Sequence, residues 1–119
     1  MKIFVLPFLV IAIALATFAC TPNLPPKENP EDVVFIDPQQ GGHPGEGFRA
    51  LAEIRLERPI STHTYVDVIT AMRAEAAKMG ADALILHGIM RQDPGGMFLE
   101  EMWIAAGLAI YYPARHRRQ

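Results

Sequence analysis

The sequence predicts an α+β fold, a β-α-β-β unit in which a small mixed sheet carries one helix packed on one face. Three observations predict it. Residues 48–56 alternate between apolar and mostly charged side chains, residues 64–80 carry a capped apolar stripe of helical period, and residues 83–89 and 102–112 are two long apolar runs. Taking the elements in order, Phe48, Ala50, Ala52, Ile54 and Leu56 fall on one side of an extended chain and Arg49, Glu53, Arg55 and Glu57 on the other, the pattern of a half-buried strand. Pro59 stops it, because proline has no N–H to give a sheet ladder.

The helix follows at once. Thr64 with Asp67 three residues on resembles a capping box, in which each side chain satisfies the other residue's backbone N–H. Tyr65, Ile69, Met72, Ala76 and Met79 recur at spacings of four and three and form the apolar stripe, and Gly80 ends the helix as a C-cap. Residues 83–89 are apolar in both phases apart from His87 and Gly88, so they read as a strand covered on part of both sides. Gln92-Asp93-Pro94-Gly95-Gly96 makes the turn. The run from Met102 to Tyr112, with Trp103 in the strand core by phase, is too apolar in both phases for an edge and is placed centrally. The strands before and after the helix are expected to be parallel, with the last strand antiparallel between or beside them.

At 119 residues and 13.2 kDa the chain has room for one domain. Its apolar residues divide it into regions: residues 1–19 as a signal peptide, 20–47 as a lipidated cysteine followed by a linker, 48–112 as the αβ domain, and 113–119 as a basic tail. Lys2 precedes an apolar run from Ile3 to Ala19 broken only by Pro7 and Thr17, the charged start and apolar middle of an export signal. A membrane-spanning helix is the alternative, but such a run sits at the short limit for a hydrocarbon core of ~30 Å, and Pro7 weakens a permanent helix.

Cys20 is the only cysteine, and a lone thiol in an oxidising compartment has no intramolecular partner. Thr17-Phe18-Ala19-Cys20 resembles the lipobox of bacterial lipoproteins. Ala19 and Cys20 match that pattern, and Thr17 and Phe18 depart from it. The resemblance implies diacylation of Cys20 as the mature N-terminus, and membrane attachment through its acyl chains. Thr21, standing where many inner-membrane lipoproteins carry Asp, points by the same resemblance to the outer membrane. The competing reading is cleavage after Ala14-Leu15-Ala16, which gives a soluble periplasmic protein with a free thiol.

Residues 21–46 contain six prolines and three glycines and too little apolar surface to repay ordering, so they read as a tether. Fully extended, such a segment reaches roughly 80 Å. Val33, Val34, Phe35 and Ile36 interrupt it; they either dock on the domain as an extra edge strand or pair with a partner's sheet edge. Arg115-His116-Arg117-Arg118 reads as a disordered solubilising tail, with anionic lipid or a cell-wall polymer as the alternative contact. Export excludes nucleic acid as a partner.

Tyr65 to Ile69, Arg73 to Ile85 and Gly107 to Tyr111 together resemble a small bacterial αβ lipoprotein domain. The Ala76-Ala77-Lys78-Met79-Gly80-Ala81-Asp82-Ala83-Leu84-Ile85 step is similar to the helix-to-strand junction of the envelope stress-sensor lipoprotein of the Rcs phosphorelay and of YbjQ-like proteins. The resemblance covers residues 48–112. It does not carry over the stress sensor's disulfides, which a chain with Cys20 alone cannot form. The heavy-metal-binding label of YbjQ-like proteins directs attention to the ligating side chains.

Those side chains are sparse. The histidines, at 43, 63, 87 and 116, include no pair at metal-ligand spacing. His43 and Glu46 share one glycine-rich loop, so the only metal candidate is His43 and Glu46 with His63 or His87 brought near by folding. Ser61, the only serine, lies two residues from His63 without an acidic orienter. Glu53 and Glu57 interleave with Arg49 and Arg55 on a solvated face. No catalytic residue and no cofactor is expected. The expectation is a non-enzymatic, lipid-anchored envelope protein acting as an interaction or sensor module on another envelope protein. The alternative is a periplasmic small-molecule or metal-binding module.

Overall fold

A computed structural model describes residues 23–93 and 100–116. The apolar segment 1–19, Cys20, part of the turn after Gln92, and Arg117 and Arg118 lie outside the described residues. The strands are β1 (Val34–Ile36), β2 (Arg49–Pro59), β3 (Ala83–Gln92) and β4 (Met102–Tyr111); the helices are α1 (Tyr65–Lys78) and the single turn α2 (Pro113–His116). The sheet order is β1-β3-β4-β2. β4 is antiparallel to both β2 and β3, which therefore run the same way, and β1 is parallel to β3.

Helix α1 begins where its capping chemistry begins. The Thr64 hydroxyl accepts from the Asp67 N–H and the Asp67 carboxylate accepts from the Thr64 N–H. Hydrogen bonding to the carboxylate from the Thr64 backbone N–H, and then from the Thr64 side chain, holds the Asp67 carboxyl below its usual range. The buried stripe is Val68, Met72, Ala76 and Ala77, so the helix is rotated from the expected stripe. Tyr65 stays 42% exposed and leans edge-on against Trp103 at 6.1 Å. Under the helix, β4 presents small residues. Ala105 and Ala109 are buried there, and a Cβ on Gly107 would lie 2.9 Å from the Met72 methyl and 3.0 Å from Leu84 Cδ1. Glycine at that position lets α1 sit close on the middle of the sheet.

Two irregularities set which side chains face the helix. Between Ala50 and Ala52 the β2–β4 register shifts by one residue, a bulge at Leu51. The alternation expected across residues 48–56 therefore breaks. Ala52, Ile54 and Leu56 lie on the helix side, whereas Phe48 packs in a second cluster with Ile36, Ala83, Ile85 and Ile110 on the other face. A matching shift between Leu86 and Gly88 leaves His87 unpaired in the β3–β4 ladder, with its side chain in solvent.

The segment expected to be a free tether belongs to the fold from Leu24 onward. The Lys27 N–H donates to the Ala77 carbonyl at 2.8 Å, and Arg73 donates to the Val33 carbonyl through Nε at 3.0 Å and Nη2 at 2.8 Å. Val33 is fully buried, and Val34 to Ile36 pair with Ala83 to Ile85 as the edge strand β1. Pro30 and Pro38 open 3-10 turns. Their fixed φ lowers the entropy lost on ordering, and α1 supplies partners for backbone groups that composition alone left without any. The Tyr112 hydroxyl donates to the Pro44 carbonyl and holds the glycine-rich loop 41–47.

Gly80 joins the helix to this N-terminal segment. Its φ is 77°, and a Cβ there would approach the Pro25 carbonyl oxygen at 2.6 Å and Leu24 Cβ at 2.7 Å. Gly80→Ala is expected to cost about 1–3 kcal/mol in urea denaturation. Hydrogen exchange should quicken first at the Lys27 amide, since the clash falls on the backbone that precedes it.

Candidate functional site

Asp82, at the helix-to-strand junction, is the centre of a side-chain cluster among the described residues. Gly80 turns the chain out of α1, and the Asp82 N–H donates to the Ile110 carbonyl at 2.9 Å while its carbonyl accepts from Val34 at 3.1 Å. This places the carboxylate at the end of the sheet where β1 and β3 start and β4 finishes. It is 8% exposed. Oδ1 accepts from Lys27 Nζ at 3.0 Å, Oδ2 accepts from the Tyr112 N–H at 2.8 Å, and His116 Nε2 lies 3.1 and 2.9 Å from the two oxygens. Lys27 Nζ also donates to the Ala81 carbonyl at 2.6 Å.

The charge of Asp82 follows from these contacts. Burial alone raises its pKa. The Tyr112 N–H, His116 and Lys27 together outweigh that and hold the carboxyl below the ordinary aspartate range. Both its oxygens are engaged by the protein's own donors, so the carboxylate works as a clamp that binds the N-terminal segment and the C-terminal turn to the core. His116 is thereby fixed, with its ring edge-on to Tyr111 at 6.2 Å and its Nδ1 buried without a hydrogen-bond partner among the described residues. The tail expected to be disordered from residue 113 is ordered to His116 by this contact, and Arg115 lies over the Tyr112 ring at 4.2 Å.

The metal candidates are not gathered. His43 Nδ1 accepts from the Gly45 N–H within its own loop, His63 Nδ1 contacts the Thr62 hydroxyl, and His87 projects from the β3 bulge. Glu46 is exposed in the His43 loop. Among the described residues no three His, Cys, Asp or Glu side chains come together in a way that holds a metal ion. Val33 and Ile36 are buried in the core, so of the four candidate partner-binding residues Val34, 55% exposed, is the one that presents most surface.

The helix-free face of the sheet offers a different feature. Beside the His87 bulge, Gly88, Ile89, Met90, Ile104 and Ala106 line a shallow depression of about 430 Å³, and Met90 is 64% exposed. A second depression, about 470 Å³, lies between Phe35, Asp37, Gln40, Gly42 and Tyr65. Sequence reasoning missed Asp82, Lys27 and His116 as a unit because they are 55 and 34 residues apart along the chain. The one available signal was an acidic residue between small apolar ones, where an unpaired charge is costly to bury.

The geometry defines a small α+β domain with a four-stranded mixed sheet, one face covered by a helix, and the Lys27 segment and the turn ending at His116 both pinned by a buried carboxylate. Comparison of the chain with protein-family models, with curated proteins and with solved structures finds no match.

The sign of the pH dependence follows from the lowered Asp82 pKa. Unfolded Asp82 takes up a proton near its ordinary pKa of about 3.9, and the folded group holds out to lower pH. Its contribution is therefore complete above that value and is lost as pH falls through the folded one. In urea melts from pH 7 to pH 3, Asp82→Asn is expected to lower stability at pH 7 by roughly 1–3 kcal/mol and to flatten the acid limb. An acid limb unchanged in the variant assigns it to other carboxylates.

Proposed function

We propose that this chain is a lipid-anchored protein of the bacterial cell envelope, facing the periplasm and held at the outer membrane in preference to the inner one. Its αβ domain acts there as a non-enzymatic interaction or sensor module. Cys20 carries the acyl chains. The apolar run ending at Ala19 and the likeness of residues 48–112 to small envelope lipoprotein domains both support this reading.

The observation that carries it is that the chain is already packed on the domain at Leu24. Leu24 lies against Gly80 only four residues after Cys20, so the domain starts almost where the mature lipoprotein would. Four residues at full stretch span about 14 Å, which holds the domain beside the bilayer rather than at the far end of a long tether. An interaction module in that position meets membrane-proximal partners. The clustering that a metal-binding module needs is missing from His43, Glu46, His63 and His87 among the described residues.

Intact mass of the protein purified from a bacterial membrane fraction tests the reading. The expected mass is that of residues 20–119 plus acyl chains, with Cys20→Ser unacylated and released to the soluble fraction. A mass beginning at Thr17 without modification, or an uncleaved chain, overturns it.

A further inference from the structure

The sheet ends on one side in β2, an 11-residue strand whose outer edge meets no other strand among the described residues. Native edges of that length are usually blunted, by proline, bulges or charged side chains. Here the bulge at Leu51 and Pro59 bound the edge but leave residues 52–58 regular between them. The Glu57 carbonyl, within that stretch, accepts from the side chain of its own neighbour Arg58 at 2.8 Å.

The charges on this edge are arranged so that it matches itself. On the helix-free face β2 presents Glu53, Arg55 and Glu57, and on the helix side Ala52, Ile54 and Leu56. When a strand pairs antiparallel with a copy of itself, the residue on the two-fold axis decides every other pair. An axis at Arg55 sets Arg55 against Arg55 and Glu53 against Glu57, and an axis at Glu53 sets Glu53 against Glu53; both are repulsive. An axis at Leu56 pairs Arg55 with Glu57 but places Ile54 against Arg58. Over residues 52–56 an axis at Ile54 alone gives two Glu53–Arg55 pairs on one face and apolar pairs on the other, Ile54, already packed beneath α1, against Ile54 and Ala52 against Leu56, while Glu57 and Arg58 fall opposite the bulged stretch.

The surface beside the edge fits the same register. Asn23, Leu24, Pro26, Leu51, Ala52 and Met79 surround a depression of about 390 Å³ next to Ala52, the position that faces the partner's Leu56 when the axis lies at Ile54. A smaller depression of about 190 Å³ continues along Glu53 to Leu56 beneath Glu75 and Met79 of α1. We propose that two copies of this chain associate through β2, antiparallel about Ile54, into one continuous eight-stranded sheet. The occupant is a second copy because the edge satisfies itself in charge and shape in one register and opposes itself in the neighbouring ones. The two-fold axis stands perpendicular to the sheet and keeps the two Leu24 positions at the same height along it, so two chains anchored in one membrane can pair.

The test uses full-length protein in detergent and sedimentation velocity. Glu53 and Arg55 are exposed, so reversing either leaves the core intact, which circular dichroism verifies. Arg55→Glu makes both positions acidic and Glu53→Arg makes both basic. Each alone is expected to weaken the dimer roughly tenfold or more. An equimolar mixture of the two variants regains the dimer, since every acidic position then faces a basic one. The Glu53–Arg55 ion pair within one strand, at 2.9 Å, remains broken in that mixture, so its loss cannot account for the recovery. A wild-type chain monomeric at all concentrations, a dimer insensitive to either reversal, or a mixture that stays monomeric overturns the proposal.

Discussion

A buried carboxylate that must not be left alone organises this molecule. Asp82 sits at one end of the sheet with little access to water, and a charge there is tolerable only while Lys27, His116 and the Tyr112 N–H surround it. Those donors come from two separated stretches of chain, Lys27 from one and Tyr112 with His116 from the other. Satisfying one group therefore closes the N-terminal segment over the end of α1 and the C-terminal turn against the end of β4. Lys27, held by Ala77 and Ala81 as well, brings its neighbours Leu24 and Pro25 onto Gly80. From there the segment continues to Val33 and the edge strand β1.

Packing over the sheet's middle rests on size. Gly107 between Ala105 and Ala109 gives α1 a shallow trough, and Met72, fully buried, fills it. An aliphatic residue at Gly107 would lift the helix and open the contacts of Val68 and Ala76 with the strands below. In the middle of β4, Ala105, Gly107 and Ala109 face α1, with Trp103 against Tyr65 nearer the strand's start, and Met102, Ile104 and Leu108 face the other way. The face without a helix is covered in part, by Phe48 and Tyr112 against Ile110 and Ala83, and is open from Ile104 to Met90.

Much of the domain was legible from periodicity. The Thr64–Asp67 box, the end of the helix at Gly80 and the central place of the last strand are local or compositional properties, and they stand where the residues put them. The two bulges were not legible, because an alternating pattern carries no mark of an extra residue until a partner strand fixes the register. For that reason Phe48 changes faces and His87 leaves the apolar run for solvent. The helix stripe was off by part of a turn because Tyr65 and Val68 are both apolar, and which of them is covered depends on how far the sheet extends under the first turn.

Among candidate site residues, the histidine loop and His63 were visible as residue types, but spacing gave no reason for them to meet, and they do not. The cluster that does form joins residues 27 and 82 with 112 and 116 of the C-terminal turn, three places with no local motif in common. The proline-rich stretch shows the same division. By composition it lacks the apolar surface to order itself, and it is ordered by hydrogen bonds that α1 and Arg73 provide. What the sequence by itself determined is the helix with its caps and the three long strands, since these depend on neighbours within a few residues. The tertiary structure alone decided the registers, the docking of residues 23–47 and the clamp at Asp82, because each depends on a partner tens of residues away whose position exists only once the sheet is formed.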